Sequence, residues 1–66
     1  MKSVTINTSL IESCWEKPDA CLVRMASGKV WVLEKTILGI PTRQFINSKP
    51  NEIVELPLKG GAIYGK

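Results

Sequence analysis

The 66-residue chain has no histidine and only two cysteines, Cys14 and Cys21. These shortages remove much of the chemistry open to a small domain. A tetrahedral zinc site takes four ligands of the Cys, His or carboxylate type, and one copy of this chain lacks a standard set. Nucleophilic catalysis needs an activated Ser or Cys and a base oriented by a third group. The commonest base is absent, and both thiols sit in apolar runs where small buried cysteines fill space. The six acids (Glu12, Glu16, Asp19, Glu34, Glu52 and Glu55) are scattered. They form neither the paired carboxylates of a glycosidase nor a calcium-loop spacing. Lys59-Gly60-Gly61 is rich in glycine, but no helix start follows it, so it lacks the setting of a phosphate cradle. The chain therefore reads as a non-enzyme that needs no cofactor and no metal.

Long apolar runs are also missing. None approaches the roughly 20 residues of a membrane span. At the N-terminus, Asn7, Thr8 and Ser9 interrupt the apolar residues before a secretory signal could form. The expected location is cytoplasmic, with no membrane partner. In that compartment Cys14 and Cys21 are expected to be reduced, at least partly buried and metal-free. A disulfide between them would require the two residues to lie on paired strands.

What the chain does contain suits a folded domain. Hydrophobic residues make up 44% and charged residues 23%, values near the globular norm. The length allows one domain, residues 1–66, with a thin margin of stability. Nine basic against six acidic residues give a net charge of +3, which permits contact with nucleic acid without requiring it.

The local signal is β throughout. Val4 and Ile6 alternate with Thr5 and Asn7, a period of two. Leu10 to Trp15 form a second run, closed by a turn at Glu16-Lys17-Pro18-Asp19. Ala20–Met25 and Lys29–Lys35 flank Ala26-Ser27-Gly28, a hairpin signal in which Gly28 is expected at positive φ. A two-residue loop at Ser27-Gly28 would place Val23, Met25, Val30 and Val32 on one face. Leu22, Trp31 and Leu33 would then share the other, with Arg24 beside the indole. A three-residue loop with a glycine bulge would shift the register by one on one strand. Both faces are largely apolar in either case, so the hairpin is central in the sheet or covered by a partner.

Gly39 and Pro41 close the apolar run Thr36–Ile40 with a bend or strand end. Thr42–Ser48, around Phe45 and Ile46, fits a short strand or one helical turn. Lys49-Pro50-Asn51 is a turn. Glu52–Leu58 reads as a strand ending at Pro57, and 59–66 as a flexible end in which Ala62-Ile63-Tyr64 adds a short strand or frays. The expected fold is all-β or mainly β: a small antiparallel barrel or curled sheet of about five strands, SH3-like or OB-like.

The stretch Trp15 to Ile37 resembles a pattern found in small β-proteins of phages and other mobile elements. There a Trp-acidic segment leads into an Ala-x-Leu-Val strand, a Gly turn and a strand ending in Val-Trp-Val/Ile-Pro-Lys-Ser. Trp15, Ala20, Leu22, Val23, Gly28, Val30, Trp31, Val32 and Lys35 match it. Glu52 to Pro57 resembles the closing strand of the same pattern. The chain departs where Leu33-Glu34 replaces Ile-Pro, where Thr36 replaces Ser, and where Lys59-Gly60-Gly61 stands in place of a short helix. The resemblance implies a β fold and a mobile-element origin, and it carries no catalytic residue.

Two classes of binding follow. Small barrels hold nucleic acid by stacking bases on aromatics in a basic groove. The candidate residues here are Arg24, Lys29, Trp31, Lys35, Arg43 and Phe45, with single- or double-stranded nucleic acid as partner. The competing reading is a module that docks on a host or phage protein through apolar surface or an open sheet edge. In so small a domain the large aromatics are needed for the core, and this expectation is strongest for Trp15. The two-sided apolar hairpin also suggests a homodimer, unless 42–48 supplies the cover.

Overall fold

The computed structural model describes the backbone of residues 2–64 and the side chains of residues 2–59. Gly65 and Lys66, at the end expected to be flexible, lie outside the described residues. The described residues form seven strands: β1 (Ser3–Asn7), β2 (Ile11–Glu16), β3 (Cys21–Met25), β4 (Val30–Leu33), β5 (Thr36–Ile37), β6 (Ile40–Pro41) and β7 (Ile53–Tyr64). A 3-10 turn at Thr8–Leu10 joins β1 to β2, and one short helix, α1 (Thr42–Asn47), follows β6. Five strands form an antiparallel sheet in the order β1-β7-β4-β3-β2, and β5 and β6 pair separately. The sheet is curled and does not close into a barrel. Its edges are β1 and β2.

The β3–β4 hairpin uses the three-residue loop. The Met25 amide donates to the Lys29 carbonyl and the Gly28 amide to the Met25 carbonyl, each at 2.8 Å. Gly28 takes φ +97°, the positive value this bulged turn requires. Val23 therefore pairs with Trp31 and Arg24 with Val30, which corrects the two-residue register. Arg24 and Trp31 consequently lie on opposite faces.

The inner face carries the main core. Cys21, Val23 and Met25 of β3 and Leu33 of β4 meet Val54, Leu56 and Leu58 of β7 and Ile6 of β1. Ile46 of α1 joins them, with Phe45 and Ile37 packed at the margin. The segment 42–48 is thus helical and caps this face. Its six residues are too few to display a helical period in the sequence.

Leu22 and Val32 of the outer face are also buried, together with Ala20. The hairpin is central in the sheet, and buried residues lie on both its faces within one chain.

β7 is longer than the strand expected to stop at Pro57. Ile53–Pro57 pairs with β1, while Leu58, Ile63 and Tyr64 pair with β4 across an irregular register. Proline cannot donate to a ladder, and Pro57 stands where the strand changes partner. Its carbonyl accepts from the Glu34 amide at 3.0 Å. Lys59-Gly60-Gly61 lies within β7.

Two threonines tie the connections to the sheet. Thr8 Oγ1 donates to the Lys49 carbonyl at 2.6 Å and accepts from the Glu52 amide at 2.9 Å. Buried Thr42 donates its hydroxyl to the Glu34 carbonyl, and its amide donates to the Lys35 carbonyl at 2.8 Å. No helix among the described residues is long and apolar enough to cross a membrane.

Candidate functional site

The β5–β6 hairpin departs most from local rules. Thr36 pairs with Pro41 and Ile37 with Ile40, leaving Leu38-Gly39 as a two-residue loop. Leu38 has φ +52° and Gly39 φ +80°. Positive φ at both central positions is the pattern of a type I′ turn, which favours Asn, Asp or Gly. A leucine in this region costs about 1 kcal/mol. Leu38 gains no compensating burial, being 92% exposed, and Ile40 beside it is 39% exposed. The hairpin rests on α1 and on half-buried Ile37, which packs against the core. The two hydrogen bonds of Thr42 fix its base.

Within the stretch that forms and follows this hairpin, charge has one sign. Lys35 and Arg43 flank the hairpin in sequence and are exposed. From Lys35 to Asn51 the chain holds Lys35, Arg43 and Lys49 and no acid. Arg43 also lines a shallow cleft of about 340 Å³ with Glu16, Pro41, Gln44 and Asn47.

The six residues singled out for nucleic acid do not gather on one surface. Arg24 lies on the outer face, where its Nε is 3.1 Å from Glu12 Oε1. Trp31 is half-buried against the inner core, and the Lys29 ammonium sits 5.1 Å from its ring centroid. Phe45 is likewise half-buried against the core, with the Lys49 ammonium 5.7 Å from its ring. Lys35 donates to the Lys17 carbonyl at 3.0 Å. Arg43 lies on α1. Two aromatics thus carry a lysine each, as cation–π pairs do, while Lys35 and Arg43 belong with the β5–β6 hairpin.

Trp15 reverses the expectation that it is core: it is 36% exposed on edge strand β2. It pairs with Leu22 on the outer face, where an edge strand has a neighbour on one side only. The β2 edge carries Glu12 and a register break between Ile11 and Ser13, two devices that discourage pairing with another chain.

Leu38 was missed because it reads as one more residue of the apolar run 36–40. The signal lay in Leu-Gly between Ile37 and Ile40, a two-residue spacing with glycine in second place. The two thiols stand close together, with Cys14 Sγ 3.7 Å from Cys21 Sγ. Their burial, half for Cys14 and full for Cys21, is as expected. No family model, curated protein or solved structure matches the chain.

Proposed function

We propose that this chain is a binding protein that docks on another protein through the tip of the β5–β6 hairpin. Leu38 enters an apolar pocket of the partner, and Lys35 and Arg43 meet an acidic rim around it. The observation that carries this reading is a leucine at positive φ with 92% of its surface exposed. A scattered exposed leucine is ordinary. A leucine in a backbone conformation that disfavours it, with little packed on it, spends stability without return inside the chain. Strain of this kind clusters at sites of contact. The sign of the partner's rim follows from the run of three cations without an acid between Lys35 and Asn51. The resemblance to mobile-element proteins points to a host or phage protein as the partner.

Nucleic acid is the second reading. It is supported by the net charge of +3 and by the lysines held over Trp31 and Phe45. A base stacking on either ring would have to displace the lysine already there.

One comparison separates the two. Wild type and Leu38→Asn are used to capture protein from a cell extract, and the captured protein is purified and titrated against both. The docking reading expects one stoichiometric partner and an affinity loss of about tenfold or more in the variant, since a buried anchor carries much of an interface's energy. Labelled single- and double-stranded oligonucleotides are titrated in parallel at two salt concentrations. Salt-dependent binding that survives Leu38→Asn and is weakened by Lys35→Glu and Arg43→Glu would transfer the function to nucleic acid.

A further inference from the structure

We propose that Cys14 and Cys21 form a redox-responsive dithiol, in which Cys14 is oxidised by a hydroperoxide and Cys21 resolves it to an intrachain disulfide. The geometry assigns the roles. Cys14 is half-buried on edge strand β2 and lines a cleft of about 240 Å³ with Thr8, Ile11, Ile46, Asn47 and Pro50. A peroxide molecule can reach it there. Cys21 is fully buried one strand inward, with its sulfur 3.7 Å from that of Cys14. An oxidant in the cleft therefore meets Cys14 first, and the nearest thiol to the product is Cys21.

Electrostatics favour the same order. The hydrogen bond shared with Cys21 holds the Cys14 thiol below the ordinary thiol range, aided by the Arg43 cation and opposed by burial and Glu16. The same hydrogen bond, together with burial, pushes the Cys21 thiol up. Reactive thiols are those with enhanced thiolate character and access.

The chemistry closes in two steps. The Cys14 thiolate attacks the hydroperoxide, forming an S–O bond and breaking the O–O bond. An alcohol or water leaves after taking up a proton, and Cys14 becomes a sulfenic acid. The Cys21 sulfur then attacks the Cys14 sulfur; an S–S bond forms, the S–O bond breaks, and hydroxide leaves with the Cys21 proton as water. Two thiols are oxidised by two electrons, and the peroxide is reduced by two.

The register sets the span of the link. Cys14 pairs with Val23 and Cys21 with Glu16, so the cysteines are diagonal neighbours, which stand farther apart than directly opposed residues. Closing the bond brings the two sulfurs from 3.7 Å to the roughly 2 Å of a disulfide.

The test is intact-mass analysis of the native wild-type chain after hydrogen peroxide treatment. The expected product is a monomer lighter by two hydrogens that returns to the starting mass with dithiothreitol. Before oxidation, Cys14 should alkylate about tenfold or more faster than Cys21 by peptide mapping. In Cys21→Ala, a sulfenic-acid trap should label Cys14; the wild-type mass shift keeps the test valid if that variant does not fold. Accumulation of oxygen adducts on Cys14 without loss of two hydrogens would overturn the proposal. So would disulfide-linked dimers as the main product, or a native chain inert to peroxide that oxidises its unfolded form.

Discussion

Two hairpins adjacent in the chain treat positive φ in opposite ways. In β3–β4 the strained position is Gly28, which has no side chain to disfavour it, and the strands on either side bury Val23, Leu33, Leu22 and Val32. In β5–β6 the first strained position is Leu38, and the apolar residues at its tip face solvent. The first hairpin agrees with its own turn rules and forms the centre of the sheet. The second breaks them in a place that adds little to the core. Consistency between local preference and global fold is what specifies a structure, and departures from it mark functional positions. The comparison teaches that strain and exposure together are more informative than either alone.

The largest effect that would sharpen this contrast lies in the core shared by β3, β4 and β7. Leu56 and Leu33 are fully buried, so Leu56→Ala should destabilise by about 2–5 kcal/mol, measured by urea unfolding. A cost below about 1 kcal/mol would mean that the inner face is not the packed core.

Thr42 comes next, because it anchors the base of the exposed hairpin. Thr42→Val keeps the shape and removes the buried hydroxyl that serves the Glu34 carbonyl, at a cost of about 1–3 kcal/mol. Hydrogen exchange should show the Thr42 amide, bonded to the Lys35 carbonyl, losing protection ahead of the β3–β4 amides. Uniform loss across both hairpins would deny that they are separable.

Gly28→Ala should cost about 1 kcal/mol or more through backbone strain. A Cβ at Gly28 meets nothing within 4 Å, so no clash adds to it, and the unfolding midpoint should fall without a change in slope. An unchanged midpoint would mean that the turn does not require positive φ.

The sequence disclosed the first hairpin because Gly28 stands between two apolar runs, which is a local signal. It left the register open because two- and three-residue loops differ by one residue, and only the bonds between Met25, Gly28 and Lys29 decide between them. Pro57 and Gly60-Gly61 read as breakers, yet they fall where β7 exchanges β1 for β4, and a change of partner is set by the whole sheet. The exposure of Trp15 follows from the edge position of β2, which strand order decides. The proximity of Cys14 and Cys21 was legible only as a condition, that they lie on paired strands. Leu38 was the least legible, because leucine announces burial, and its turn conformation comes from the pairing of Ile37 with Ile40.

The smallest expected effect tests the central claim most directly: equilibrium urea unfolding of Leu38→Asn in the isolated chain. Asparagine tolerates the left-handed region that leucine resists, and Leu38 leaves little buried contact behind. A docking residue held at a local cost predicts a stability gain of about 0.5–1 kcal/mol with an unchanged unfolding slope. A loss of about 1 kcal/mol or more would contradict the account, because it would show that Leu38 stabilises the isolated fold.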